Sequence, residues 1–185
     1  AQLVVDPARV VTLGSEDVQT ARREHLLLLL GALDHRFYAP GEIAIVSRSG
    51  GMMTTLAHAM TSAGLGQSTC VGIGGDAVIG LDLVATVRLA EADPDTSAIV
   101  VYGEVGTTQE AQLARYLAPG LTKPVLAYVA GLTARADVRY SHAGAKVDDE
   151  RGSAAAKRAA LRSAGVEVLD SYPQLVDAVE RIMSR

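Results

Sequence analysis

The chain has 185 residues, is 49% hydrophobic and carries a formal net charge of −4. That suits one domain, or one domain with an arm, and leaves enough apolar material for a sizeable core. Lysine and arginine are spread along a net-acidic chain, which argues against a general nucleic-acid binder, and the longest apolar run, Leu26 to Leu30 continued by Gly31-Ala32-Leu33, falls far short of the ~20 residues of a membrane span.

Residues 1–40 read as an N-terminal helical arm. Leu3-Val4-Val5 and Val10-Val11-Thr12-Leu13 are candidate short strands. Residues 15–33 read as one helix, with Ser15 as its N-cap and Asp17-Val18 in its first turn. The run Leu26 to Leu30 puts apolar groups all round that helix, so the arm is expected to pack on a partner chain or on a second copy, and only the second of these gives a homo-oligomer. Ala21-Arg22-Arg23-Glu24-His25 precedes the apolar run, an arrangement unlike a signal peptide. The lone Cys70 rules out an intramolecular disulfide and suits a reducing, cytoplasmic compartment. Pro40-Gly41 marks the boundary between the arm and the main domain, residues 41–185.

From residue 42 apolar runs alternate with helical patterns. Glu42-Ile43-Ala44-Ile45-Val46 reads as a buried strand, and residues 49–63 as a helix that opens at Ser49 or Gly50 and ends at Gly64. Thr69-Cys70-Val71-Gly72-Ile73 is a second strand, followed by a helix over 82–92 closed by Asp93-Pro94. Ala98-Ile99-Val100-Val101-Tyr102 is a third strand, followed by a helix over 109–117. Pro124-Val125-Leu126-Ala127-Tyr128-Val129 is a fourth, and beyond it a loop with His142 leads to a helix over 154–164. Val166-Glu167-Val168 and a helix over 172–183 complete the pattern. Continuous apolar strands separated by helices predict a parallel sheet covered on both faces. Five such units predict an α/β fold, a flavodoxin-like doubly wound sheet whose ligand site lies beyond the carboxyl ends of the strands.

Four segments fall at that edge. Ser47-Arg48-Ser49-Gly50-Gly51 joins a strand to a helix start, where backbone N–H groups and the helix dipole can hold a phosphoryl or carboxylate group. The same turn can equally be a packing device, with Arg48 reaching an anion or facing solvent. Gly72-Ile73-Gly74-Gly75-Asp76 is either part of the site or a loop that needs positive φ. Glu104, in Gly103-Glu104-Val105-Gly106, is a solvated glutamate or a carboxylate placed to accept an imidazole N–H and fix the tautomer. His142, in Arg139-Tyr140-Ser141-His142-Ala143-Gly144-Ala145, sits among small residues that leave the ring accessible as nucleophile or base. His25, His35 and His58 read as ordinary packed or surface side chains, Cys70 as a small buried hydrophobe, and Met52 and Met53 as core or interface. No Cys/His cluster has metal-ligand spacing.

Taken in order, Ser-Arg-Ser-Gly-Gly-Met, the run Gly64 to Asp76, Gly-Glu-Val-Gly, Leu121-Thr122-Lys123-Pro124-Val125 and His-Ala-Gly-Ala resemble the CoA-ligase domain of the succinyl-CoA synthetase alpha subunit, and the matching region of ATP-citrate lyase. The resemblance covers residues 41–185 and not the arm. It implies an NDP-forming acid–thiol ligase, a nucleotide-dependent acyl-CoA synthetase, in which His142 is phosphorylated on its ring. Glu104 would hold the imidazole, while Ser47, Ser49, Gly50 and Gly51 would cradle the phosphoryl group. Gly74, Gly75, Asp76 and Thr55 would border the substrate. CoA and ATP or GTP with Mg are implied as substrates of a full complex, none of them bound by this chain alone. The implied partners are a CoA-binding Rossmann domain and an ATP-grasp domain of the beta type, which these residues do not match, so the isolated chain is expected to be inactive. Thr55 stands where the family has an acidic or amide residue, and Ser141 where it has glycine. A structural subunit, or an acyl- or carbamoyl-transferring relative without the phosphohistidine step, therefore stays open.

Overall fold

The computed structural model describes residues 2–6, 9–13, 27–29, 35–75, 80–134 and 152–184. In the arm, β1 (Gln2–Asp6) pairs antiparallel with β2 (Arg9–Leu13) and with β3 (Leu27–Leu29). The two expected short strands are present. The expected helix over 15–33 is corrected at Leu27–Leu29, which lie beside Val5, Val4 and Leu3 of β1 in register. Leucine favours helix only weakly, and pairing with a Val-rich strand overrides that preference. The remainder of that segment lies outside the described residues.

The main domain keeps the alternation read from the sequence. Strands β4 (Pro40–Ser47), β5 (Gln67–Gly72), β6 (Ala98–Gly103), β7 (Val125–Val129) and β8 (Glu167–Val168) form a parallel sheet of order β5-β4-β6-β7-β8. Counted within this sheet the order is second-first-third-fourth-fifth, the flavodoxin-like winding. Helices α1 (Gly50–Ser62), α2 (Leu83–Ala92), α3 (Gln109–Leu117), α4 (Ala154–Ser163) and α5 (Pro173–Met183) connect and cover it.

Successive strand side chains point to opposite faces, so each apolar strand feeds two cores at once. Ile43, Ile45, Val100 and Leu126 meet Leu56 and Met60 of α1 and Leu175 and Val179 of α5. Ala44, Val46, Ile99, Val101 and Ala127 meet Leu83 and Val87 of α2, Leu113 and Leu117 of α3, and Leu161 of α4. Residues before β4 share in the first of these clusters. Tyr38 is buried there, its hydroxyl 3.1 Å from Thr54 Oγ1, and Thr61 Oγ1 donates to the Phe37 carbonyl at 3.1 Å. His58 is exposed, with its ring 4.8 Å from that of Phe37. Met53 is core and Met52 packs partly against it, while burial pushes the Cys70 thiol up to about 12.

The register decides where function can lie. Ser47 is level with Gly72 of β5 and with Tyr102 of β6, and Tyr102 is level with Tyr128 of β7. The loops after β4, β5, β6 and β7 therefore leave the sheet at one height. The order reverses between β4 and β6, so the loops after those two diverge around a crevice, the usual ligand position in such sheets.

At the opposite edge the entries to β4 and β5 touch backbone to backbone. A Cβ on Gly66 would lie 2.0 Å from the Pro40 carbonyl oxygen, and one on Gly41 2.4 Å from the Gly66 carbonyl carbon. Gly66→Ala should destabilise the fold by about 2 kcal/mol, the cost of forced overpacking. Gly50→Ala, where a Cβ meets nothing within 4 Å, should not. Denaturant unfolding of both variants checks this; equal midpoints would show that the strand entries give way.

Candidate functional site

Helix α1 begins directly after β4. Ser49 is its N-cap: its hydroxyl accepts the Met52 N–H at 3.4 Å. Ser47 is fully buried and turned inward, with its Oγ accepting the Ser49 N–H at 3.0 Å and donating to the Ser49 carbonyl at 2.7 Å. Those two serines shape the turn. Gly50 and Gly51 are exposed, and their N–H groups make no hydrogen bond among the described residues. A Cβ on either would meet nothing within 4 Å. Neither packing nor a left-handed φ within this chain demands glycine there, whereas close approach of a ligand to the backbone would. The open N–H groups and the positive end of the helix dipole suit an anion. Thr55 lies one turn along the same exposed face, with its hydroxyl donating to the Gly51 carbonyl at 3.0 Å.

Glu104 follows β6 on the other side of the crevice and is half-buried. The backbone N–H of Arg48 donates to the Tyr102 carbonyl at 3.0 Å, tying the two loops together. Burial, and then the nearby Glu104 carboxylate and Tyr128, push the Tyr102 phenol up to about 12. A carboxylate at this edge would favour an imidazolium or an imidazole N–H beside it. Gly74 adopts φ +86°, so the loop after β5 has the left-handed glycine that its sequence suggested. Gly75 is buried; Asp76 and His142 lie outside the described residues.

Arg48 departs from both of its expected roles. It neither faces solvent nor reaches the edge: it is fully buried. Its Nη1 donates to Glu110 Oε1 at 3.1 Å and to the carbonyls of Glu104, Val105 and Gly106 at 3.0, 3.3 and 3.2 Å. Its Nε and Nη2 are buried without a hydrogen-bond partner. Lys157, equally buried, bonds Glu110 Oε2, the Gly106 carbonyl and, at 2.7 Å, the Glu104 carbonyl. Burial lowers the Lys157 ammonium from its ordinary value, with Glu110 opposing that shift. Sequence reasoning singled out neither Glu110 nor Lys157. The available signal was a charge on an apolar stripe. Glu110 precedes buried Leu113, Ala114 and Leu117 at helical spacing, and Lys157 stands between buried Ala154 and Leu161.

Among the described residues no group of three His, Cys, Asp or Glu side chains is placed to hold a metal ion, and no helix is long and apolar enough to cross a membrane.

A family model described as a succinyl-CoA ligase like flavodoxin domain matches residues 40–182. The chain belongs to that family. It is 43% identical over 150 residues to the succinate–CoA ligase [ADP-forming] alpha subunit of Methanothermobacter thermautotrophicus, a match covering 81% of this chain and 51% of the relative. It is 37% identical over 157 residues to the malate–CoA ligase alpha subunit of Methylorubrum extorquens, covering 85% and 53%. Among solved structures, ATP citrate lyase of Methanosaeta concilii in complex with (3S)-citryl-CoA aligns with a TM-score of 0.72 at 31% identity, over 78% of this chain and 25% of that one. The chain thus spans about half the length of the curated ligase subunits it matches.

One residue beside the candidate site is strained. Thr107 has φ +52°, and its buried Oγ1 has no partner among the described residues. A β-branched side chain is costly in the left-handed region, by about 1–3 kcal/mol. Thr107→Gly should therefore raise stability by about 1 kcal/mol after glycine's own entropic cost. Thermal unfolding checks the sign; a lower midpoint would show that the Thr107 methyl contributes more packing than the backbone loses to strain.

Proposed function

We propose that this chain is the phosphohistidine-carrying part of an NDP-forming acyl-CoA synthetase. The observation that carries the reading is the facing pair at the switch point. On one side are the open N–H groups of Gly50 and Gly51 at the start of α1, and on the other is Glu104 at the end of β6. His142 is the nucleophile of the scheme. Its ring nitrogen attacks the γ-phosphorus of a nucleoside triphosphate, forming the N–P bond as the bond to the diphosphate breaks. A carboxylate oxygen of the acid then attacks that phosphorus, which releases the imidazole and leaves an acyl phosphate. The CoA thiolate attacks the acyl carbon, and phosphate departs.

In this scheme Glu104 accepts the N–H of the other ring nitrogen, which orients the ring and balances the positive charge it gains in phosphoryl transfer. Gly50 and Gly51 offset the phosphoryl charge through their N–H groups, while Ser47 and Ser49 hold the turn in shape. Gly74, Gly75, Asp76 and Thr55 border the acid. The alpha-subunit names of the relatives support a partner that supplies the nucleotide site, of the ATP-grasp beta type, and their ADP-forming designations favour ATP, with Mg, over GTP. A CoA-binding Rossmann domain would complete the assembly, and the chain by itself would form no acyl-CoA.

The test uses the assembled complex. With ATP and Mg, a phosphoryl group that is acid-labile and alkali-stable should appear on His142, located by mass spectrometry of peptides kept at high pH. His142→Ala should abolish both that label and acyl-CoA formation. Glu104→Gln should slow turnover by about 100-fold, since the amide still accepts the N–H but lacks the charge. Full ligase activity in His142→Ala would overturn the phosphohistidine step, leaving a direct acyl-transferring or structural role.

A further inference from the structure

Three buried charged side chains gather behind the backbone of the loop that carries Glu104. Arg48, Glu110 and Lys157 are each fully buried, and they come from the β4–α1 turn, the first turn of α3 and the first turn of α4. Burial of two cations against one carboxylate costs several kcal/mol per ion unless further hydrogen bonds compensate. Here the compensation comes from one loop. Arg48 and Lys157 between them take the carbonyls of Glu104, Val105 and Gly106, while Glu110 Oε1 accepts the Glu104 N–H at 3.0 Å. The Gly106 N–H is held separately, by the Gly152 carbonyl at 2.9 Å. Glycine at 103 admits this grip: a Cβ there would lie 2.8 Å from Glu110 Oε1. The carbonyls that offset the burial of both cations are thus drawn from the one loop that carries Glu104.

We propose that Arg48, Glu110 and Lys157 are positioning residues that fix the Glu104 loop, and so set where its carboxylate stands against the imidazole. They touch no substrate and act through Glu104. The catalytic part of the claim rests on the proposed role of Glu104; the loop-fixing part does not. Lys157→Met isolates the effect, because it removes one cation and two loop contacts while leaving Arg48 and Glu110 as a neutral pair.

Two measurements decide it. Hydrogen exchange on the full chain should show the Glu104 and Gly106 amides opening about tenfold faster in Lys157→Met, with those of Ile45 and Val100 in the central strands unchanged. In the assembled complex, Lys157→Met should lower kcat about tenfold with KM for the acid unchanged, yet cost less than about twofold when added to Glu104→Gln, because the two act through one group. A plain loss of stability would multiply the defect equally in both backgrounds and accelerate exchange everywhere; either result would overturn the proposal, as would unchanged exchange at Glu104. Should Lys157→Met fail to fold, Arg48→Met removes the other cation and its loop contacts, leaves Lys157 and Glu110 as a neutral pair, and is read by the same two measurements. A wild-type complex that never phosphorylates His142 would refute the proposed function, and the exchange result would still decide whether the network fixes the loop.

Discussion

Glu110 lies in the interior with Arg48 on one carboxylate oxygen and Lys157 on the other, and both of those side chains also bond carbonyls of the next loop. The penalty for stripping water from such groups is larger than any one of their contacts returns, so the arrangement holds as a set. Removing the carboxylate alone would leave two buried cations facing each other. That interdependence joins three places far apart in sequence: the turn before α1, the start of α3 and the start of α4. The carboxyl edge consequently has a rigid floor, made of charge, whereas the two cores on either side of the sheet are aliphatic.

Above that floor the edge is unfinished in a specific way. Among the described residues the N–H groups of the first turn of α1 have no partner, and nothing packs against the glycines that carry them. The start of α3, by contrast, is closed inward. Thr108 makes no side-chain cap, while Gln109 Oε1 reaches back to the Leu83 N–H at 2.9 Å and Glu110 turns down into the buried network. The two helix starts thus differ: one leaves its first N–H groups without partners among the described residues, and the other is used up in holding the loop of Glu104.

The sheet and its helices were legible because their signals are local and repeated. Short β-branched runs such as Ala98-Ile99-Val100-Val101, followed by glycine, point to strands buried on both faces, and Ser49, Asp82 and Ser153 mark helix starts by the same N-cap chemistry. The places of Glu104 and of the first-turn glycines at strand ends were legible for the same reason. Arg48 was not, because nothing in Ser-Arg-Ser reveals that its counter-charge sits 62 residues further on. Lys157 and Glu110 left a trace, a charge at a core position of a helical period, which a reading aimed at strand ends passes over. Leu27–Leu29 failed for a third reason: three leucines specify burial without specifying helix or strand, and the partner strand β1 decided.

Thr107 bears on how this site was assembled. A threonine held at φ +52° beside the Glu104 loop, with a buried hydroxyl that has no partner among the described residues, lowers stability on two counts. The conformation persists because its neighbours over-determine it. Gly106 is anchored through its N–H to Gly152 and through its carbonyl to Arg48 and Lys157, and Gln109 and Glu110 are locked by their own bonds two and three residues on. The charge network that steadies Glu104 is thus also what can carry the strain next to it. A weaker floor would let the 106–108 turn relax, and Glu104 could not keep its place while that happened. Strain at 107 and rigidity at 104 are two consequences of one buried carboxylate.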